Sequence, residues 1–109
     1  MLDGLKTALA STNLDFAFAA WSHAPTGDYG VYSLSGQSEL SSDSDAASEI
    51  MLEGYVDYFC RSDALTAKES IESALRSLGI WFSLNSVQYE YDTGYVHYEW
   101  EWRDTNGTV

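Results

Sequence analysis

The chain holds 109 residues with 17 Asp and Glu against 5 Lys and Arg, a formal net charge of -12. That length suffices for one domain with a real core, and a hydrophobic content of 45%, with 15% aromatic, argues against disorder of the whole chain. The charge argues equally against ordinary DNA or RNA binding, which needs a stripe of Lys and Arg.

The imbalance is regional. Between Lys6 and Arg61 there is no Lys or Arg, while Asp15, Asp28, Glu39, Asp43, Asp45, Glu49, Glu53 and Asp57 all fall there. Such a field could repel passing DNA, imitate DNA for a basic protein, or keep a small protein soluble. Cys60 is the only cysteine, so no internal disulfide forms and a reducing cytosol fits best. The first six residues lack the basic start of a signal peptide, and no apolar run approaches the ~18 residues of a membrane span. A soluble, unprocessed chain with no membrane partner is expected, as a single domain over residues 1–109 with a polar tail from about residue 104.

Leu2, Leu5, Ala8 and Leu9 share a helical face, with Ser11-Thr12-Asn13 as its stop. Asp15 to Trp21 alternates aromatic and small residues and is expected as a strand, ended by the turn chemistry of Pro25-Thr26-Gly27-Asp28. Tyr29 to Leu34 follows as a second strand. Ser35 to Ser48, rich in Ser, Asp and Ala without a period, is expected as a long exposed loop.

From Ile50 to Cys60 the period is two. Ile50, Leu52, Val56, Tyr58 and Cys60 take one face, and Glu49, Met51, Glu53, Tyr55, Asp57 and Phe59 the other, with Gly54 marking a bulge or a close backbone approach. Asp63 to Leu78 returns to helical spacing through Ile71, Ala74, Leu75 and Leu78. Thr66 to Glu69 has the form of a capping box, Glu72 stands four residues before Arg76, and Gly79 suits the helix end. Ile80 to Tyr91 is strand material interrupted at Asn85-Ser86. After a turn at Asp92-Thr93-Gly94, Val96, Tyr98, Trp100 and Trp102 alternate with polar residues to complete a hairpin.

The expected class is therefore α+β, in the order α-β-β-β-α-β-β: a single mostly antiparallel sheet with two helices on one face and a long acidic loop between the second and third strands. The other face is left open. It would carry acids beside Tyr55, Phe59 and Met51, and an uncovered aromatic surface implies a partner.

No catalytic constellation emerges. His23 and His97 have no Gly-x-Ser-x-Gly elbow to serve, and His97 reads as a solvent-facing or interface residue. Asp43-Ser44-Asp45 starts like a calcium loop but lacks the Gly and bidentate Glu at the required offsets. Glu90, Asp92, Glu99 and Glu101 read as outward faces of the hairpin rather than paired catalytic acids, and Cys60 as a buried small hydrophobe. No enzyme, cofactor or metal is expected, and function by contact remains.

The Asp28-Tyr29-Gly30-Val31-Tyr32 strand after a proline loop, the Gly54-Tyr55-Val56-Asp57-Tyr58-Phe59 strand, the Ile71-to-Leu75 helix leading to Gly79-Ile80, and the Tyr-rich hairpin together resemble the tail terminator, or tail-completion, proteins of tailed bacteriophages. The proline stands four residues before Tyr29 rather than next to it, a departure from that pattern. The resemblance spans roughly residues 10–103. It implies a virion protein of the tail or neck, assembled in the host cytoplasm. Its partners would be other copies in a ring, commonly a hexamer, together with the tail tube protein and the head–tail connector protein, with DNA passing through the lumen unbound.

An acidic lining would keep DNA from adhering to the wall. Glu49, Glu53 and Asp57, or else the loop acids Glu39, Asp43 and Asp45, are the candidates for that lining, and Tyr55 and Phe59 are candidates for the subunit interface. The main alternative is an acidic DNA-mimic or anti-defence protein that occupies the groove of a basic host protein. An unrelated binding domain of the same α+β class is a third reading.

Overall fold

The computed structural model describes residues 2–21, 27–41, 48–61, 64–105 and 107–109, and the side chains of all of these except 38–41, 48–50 and 64. The element order is the expected one: α1 (Asp3–Ala10), β1 (Phe16–Phe18), β2 (Tyr29–Ser41), β3 (Ser48–Cys60), α2 (Ala64–Ser77), β4 (Trp81–Tyr89) and β5 (Val96–Asp104). The strands form one sheet in the order β1-β2-β3-β5-β4, antiparallel at every junction except β1–β2, which is parallel.

The helices are short and cover one face. In α1, Leu5 and Leu9 stand four apart and are fully buried. In α2, Ala67, Ile71, Ala74 and Leu75 repeat at helical spacing and are buried with them. They meet Val56 and Tyr58 of β3 and Trp100 and Trp102 of β5, the inward members of the alternation read from the sequence. Burial pushes the Tyr58 hydroxyl up to about 12, with Asp28, Cys60 and Asp15 adding to the shift. After β5 the chain turns back to this core: Val109 is buried, its N–H donates to Asp104 Oδ2 (3.0 Å), and its carbonyl accepts from the Gly4 N–H (3.0 Å).

Gly54 is required by packing. A Cβ there would run into the carbonyl oxygen of Ser33 on β2 and stand 2.6 Å from Cζ2 of Trp102. The partner strand carries the bulge: the β2–β3 register shifts between Leu34 and Gly36, opposite Gly54 and Glu53. Gly79 ends α2 at φ 71, the left-handed conformation expected for it.

Several boundaries differ from the sequence reading. The Asp15–Trp21 strand shortens to Phe16–Phe18 because Ala19 takes φ 65, which turns the chain out of extended conformation. The stretch from Ser35 is not loop as far as Ser41. It continues β2 and pairs with β3 out to Ser41 opposite Ser48, so partner strand pairing overrides weak local propensity. The connection at 42–47, which holds Asp43 and Asp45, lies outside the described residues, as do Pro25 and Thr26 of the turn before β2.

α2 is already helical at Ala64, so Thr66 and Glu69 sit inside its first turns rather than at the cap position expected for Thr66. Glu72 pairs with Lys68 (Nζ to Oε1, 3.1 Å) and accepts from Trp100 Nε1 (3.0 Å), while Arg76 lies over the Phe82 ring. Burial works against ionisation of Glu72, but the Trp100 and Lys68 hydrogen bonds outweigh it and hold its carboxyl below the usual range. The interruption expected at Asn85-Ser86 is a bulge: β4 stays continuous, and its register with β5 shifts between Leu84 and Ser86.

Beyond Leu52, β3 no longer pairs with β5 but still pairs with β2. Residues 38–41 and 48–51 therefore project as a two-stranded arm, in a molecule 52 Å long and 24 Å across.

Candidate interaction surface

The open face follows from register. Residues opposite one another share a face, so the outward members of β3 and β5 meet as the pairs Glu53–Arg103, Tyr55–Glu101, Asp57–Glu99 and Phe59–His97. On β2, Tyr29 stands opposite Phe59, and on β4, Trp81 stands opposite Arg103. The face thus carries Glu53, Asp57, Glu99 and Glu101 at its centre and rings at both ends.

One end is a stacked row. Tyr29 stacks on Phe59 with centroids 4.8 Å apart, and Phe59 stacks on the His97 imidazole at 4.1 Å. Trp21 and Tyr95 meet Tyr29 edge-on. Arg61 closes this end by lying 4.1 Å over the Tyr95 ring, donating to the Thr93 carbonyl and holding Asp28 through its backbone N–H. At the other end the Arg103 guanidinium lies 4.7 Å over Trp81, contacts Glu101 Oε2 at 2.8 Å, and stands 3.7 Å from Glu53 Oε2. Asn85, re-aimed by its bulge, donates to the other oxygen of Glu101 (3.1 Å), and these contacts hold that carboxyl below its usual range.

Between the ends, His97 Nε2 lies 2.8 Å from Asp57 Oδ1, with Glu90 Oε2 3.7 Å from Nδ1. The hydrogen bond to Asp57 raises the imidazole pKa above its ordinary 6.5; burial opposes this, and the negative charges of Asp57, Glu90 and Glu99 add to the rise. The ring is a pinned member of the face. It is stacked, hydrogen-bonded to Asp57 and partly covered rather than loosely solvent-facing.

Of the candidate lining acids, Glu53 and Asp57 are brought together on this face. Glu39 and Glu49 lie on the arm, Glu39 opposite Ile50 and Glu49 opposite Leu40, with side chains outside those described, and Asp43 and Asp45 lie outside the described residues altogether. Of the candidate interface aromatics, Phe59 is held in the stacked row, and Tyr55 is partly exposed between Ser33 and Glu101. Sequence reasoning did not single out Tyr29, Trp81, Arg103 or the Asp57–His97 pair. Alternation places each on the correct face, but pairing across strands distant in sequence is not written in either strand alone.

Cys60 is buried, with Sγ 3.8 Å from the Val96 carbonyl. Among the described residues no three His, Cys, Asp or Glu side chains gather as metal ligands, and no helix is long and apolar enough to cross a membrane.

No protein-family model and no curated protein matches the chain. A solved structure does: a chain of the "Virion of native gene transfer agent (GTA) particle" superposes with a TM-score of 0.56 at 14% identity, over 87% of this chain and 81% of that one. The two chains share a fold. At that identity nothing finer passes from one to the other, but most of each chain takes part.

Proposed function

We propose that this chain is a non-enzymatic virion structural protein of a tailed, phage-like particle, acting as the tail terminator. Copies form a ring that caps the tail tube and joins it to the head connector, in the tail or neck of the virion. The observation that carries the reading is the fold shared with a chain of a gene transfer agent virion over most of both lengths. The resemblance of the sequence to tail-completion proteins points the same way.

The open face suits the wall of such a ring. Helices cover only the opposite side, so Glu53, Asp57, Glu99 and Glu101 can face a lumen, and fixed carboxylates repel a passing polyphosphate. The arm, with Glu39 and Glu49, then reaches toward the tube or the connector. The DNA-mimic reading has less support, because Asp57, Glu53 and Glu101 are already engaged by His97, Arg103 and Asn85 within the chain.

Deletion of the gene from a producing strain is expected to leave tails of uncontrolled length or tails unattached to heads, visible by electron microscopy, with rings restored on complementation. Normal particles from the deletion strain would overturn the reading. Replacing Glu53 and Asp57 by Lys is expected to slow DNA delivery from particles that still assemble, and unchanged delivery would remove those two acids from the lumen.

A further inference from the structure

We propose that copies of this chain join edge to edge: the free edge of β4 in one copy lies antiparallel along the free outer edge of β2 in the next, and Tyr89 enters a groove beside Leu34. The inference deepens the ring reading above and rests on it for closure.

Both edges are unpartnered among the described residues, and their lengths match. β4 is the last strand of the sheet, nine residues from Trp81 to Tyr89. On the other side, β1 covers β2 only from Gly30 to Tyr32, leaving the outer side of residues 33–41 without a strand. Edge strands that must stay apart carry Lys, Pro or inward charges. These two do the opposite. In a chain of 20% charged residues, β4 has none and residues 33–41 have one, Glu39. An edge for a basic partner would carry acids; an uncharged edge in a chain of net charge -12 is suited to another copy of itself, since charged edges would add to the repulsion between copies.

The side chains also complement one another. Beside the free edge of β2, on the helix-covered side of the sheet, a groove of about 280 Å³ is lined by Leu2, Asp3, Lys6, Phe18, Tyr32 and Leu34. On the same side of the sheet, at the far edge, Val87 and Tyr89 project opposite Tyr98 and Val96 and are more than half exposed. Antiparallel pairing that puts Tyr89 at Leu34 runs the rest of β4 along the arm toward Ser41. The arm, marginal as a two-stranded ribbon, thereby gains a third strand. The stagger this demands, about six residues or roughly 20 Å per copy, is the kind of shear a closed ring of tilted strands requires. Groove and projecting tyrosine are different patches, so the contact is heterologous and generates a ring rather than a closed dimer.

The test is cross-linking of the full chain, alone and with tail tube protein. Gln37→Cys is combined with Val87→Cys, which faces it when Tyr89 lies at Leu34 and Ser35 is passed as the bulge; Gln37 and Val87 are exposed, and the native Cys60 is buried. A disulfide forms only where Cβ atoms come within about 4.5 Å. Mild oxidation is expected to give a ladder beyond the dimer from the double variant but not from either single variant. Tyr89→Glu is expected to weaken association at least about tenfold by sedimentation, while Leu65→Ser, exposed on α2, leaves it unchanged. Rings visible by electron microscopy with no ladder from this pair and no effect of Tyr89→Glu would overturn the edge contact and leave the ring reading standing. Monomers of the unaltered chain under every condition, tube protein included, would overturn both.

Discussion

On the helix-covered side of the sheet, Val56, Trp100 and Trp102 retain no exposed surface, whereas their neighbours on the same strands, Tyr55, Asp57, Glu99 and Glu101, are all partly exposed on the other side. The covered face is held by volume and apolar contact, about 1.5–3 kcal/mol for each large side chain buried. The open face is held by ring stacking and charge pairs worth about 0.2–1 kcal/mol each. Stability therefore resides on one side of the sheet, which leaves the other able to carry carboxylates and half-exposed rings at small cost to the fold. That division lets one strand alternation serve both structure and contact.

The largest expected effects fall on the covered face. Trp100→Ala removes a fully buried indole together with the hydrogen bond to Glu72, and a loss of about 3–5 kcal/mol is expected in urea unfolding. A loss no larger than that of Tyr55→Ala on the open face would break the comparison. Gly54→Ala comes next, at about 1–3 kcal/mol, because the added methyl meets the Ser33 backbone and the Trp102 ring rather than a side chain that can move aside.

Within the covered face the two indoles offer a finer contrast. Trp100 Nε1 has Glu72 as its acceptor, while Trp102 Nε1 is buried and finds none among the described residues. Replacing each by Phe removes similar volume, but Trp100→Phe also strips a donor from a carboxylate, whereas Trp102→Phe removes a donor that had no acceptor. Trp102→Phe is therefore expected to be the milder change by about 1 kcal/mol. Equal losses in parallel denaturant titrations would mean that the Glu72 bond contributes nothing net.

The covered face was largely legible in the sequence. Period two in Leu52–Cys60 and Val96–Trp102, and helical spacing in Ile71–Leu78, place the inward residues correctly because burial imposes those periods directly. The arm was not legible: Ser, Gly and Gln at 35–38 carry weak strand propensity, and their extended conformation comes from pairing with β3. On the open face, alternation located Glu53, Asp57, Tyr55 and Phe59. It could not reveal that His97, some forty residues further along, stacks on Phe59 and bonds Asp57, since that depends on β5 lying between β3 and β4. Glu72 shows the same limit, as helical spacing offers both Lys68 and Arg76 as partners; Lys68 makes the 3.1 Å contact, while Arg76 lies over Phe82 and reaches Glu72 only as a nearby charge.

The smallest effect belongs to the open face and is read by pH. Because folding holds the His97 imidazole above its ordinary pKa of 6.5, the folded state binds the proton more tightly than the unfolded chain does. The contribution of the protonated ring is thus fully present below 6.5 and is lost as pH rises through the folded value. His97→Gln keeps a hydrogen-bonding group near Asp57 but removes the titrating charge. The stability gap between the unaltered chain and this variant is expected to be wider at about pH 5.5 than at about pH 8.5, with the difference below about 1 kcal/mol. A gap that stays constant or widens toward high pH would mean that Asp57, Glu90 and Glu99 do not act on the ring as charges. A pH-dependent gap would show that the open face, although weakly held, is electrostatically organised before any partner arrives.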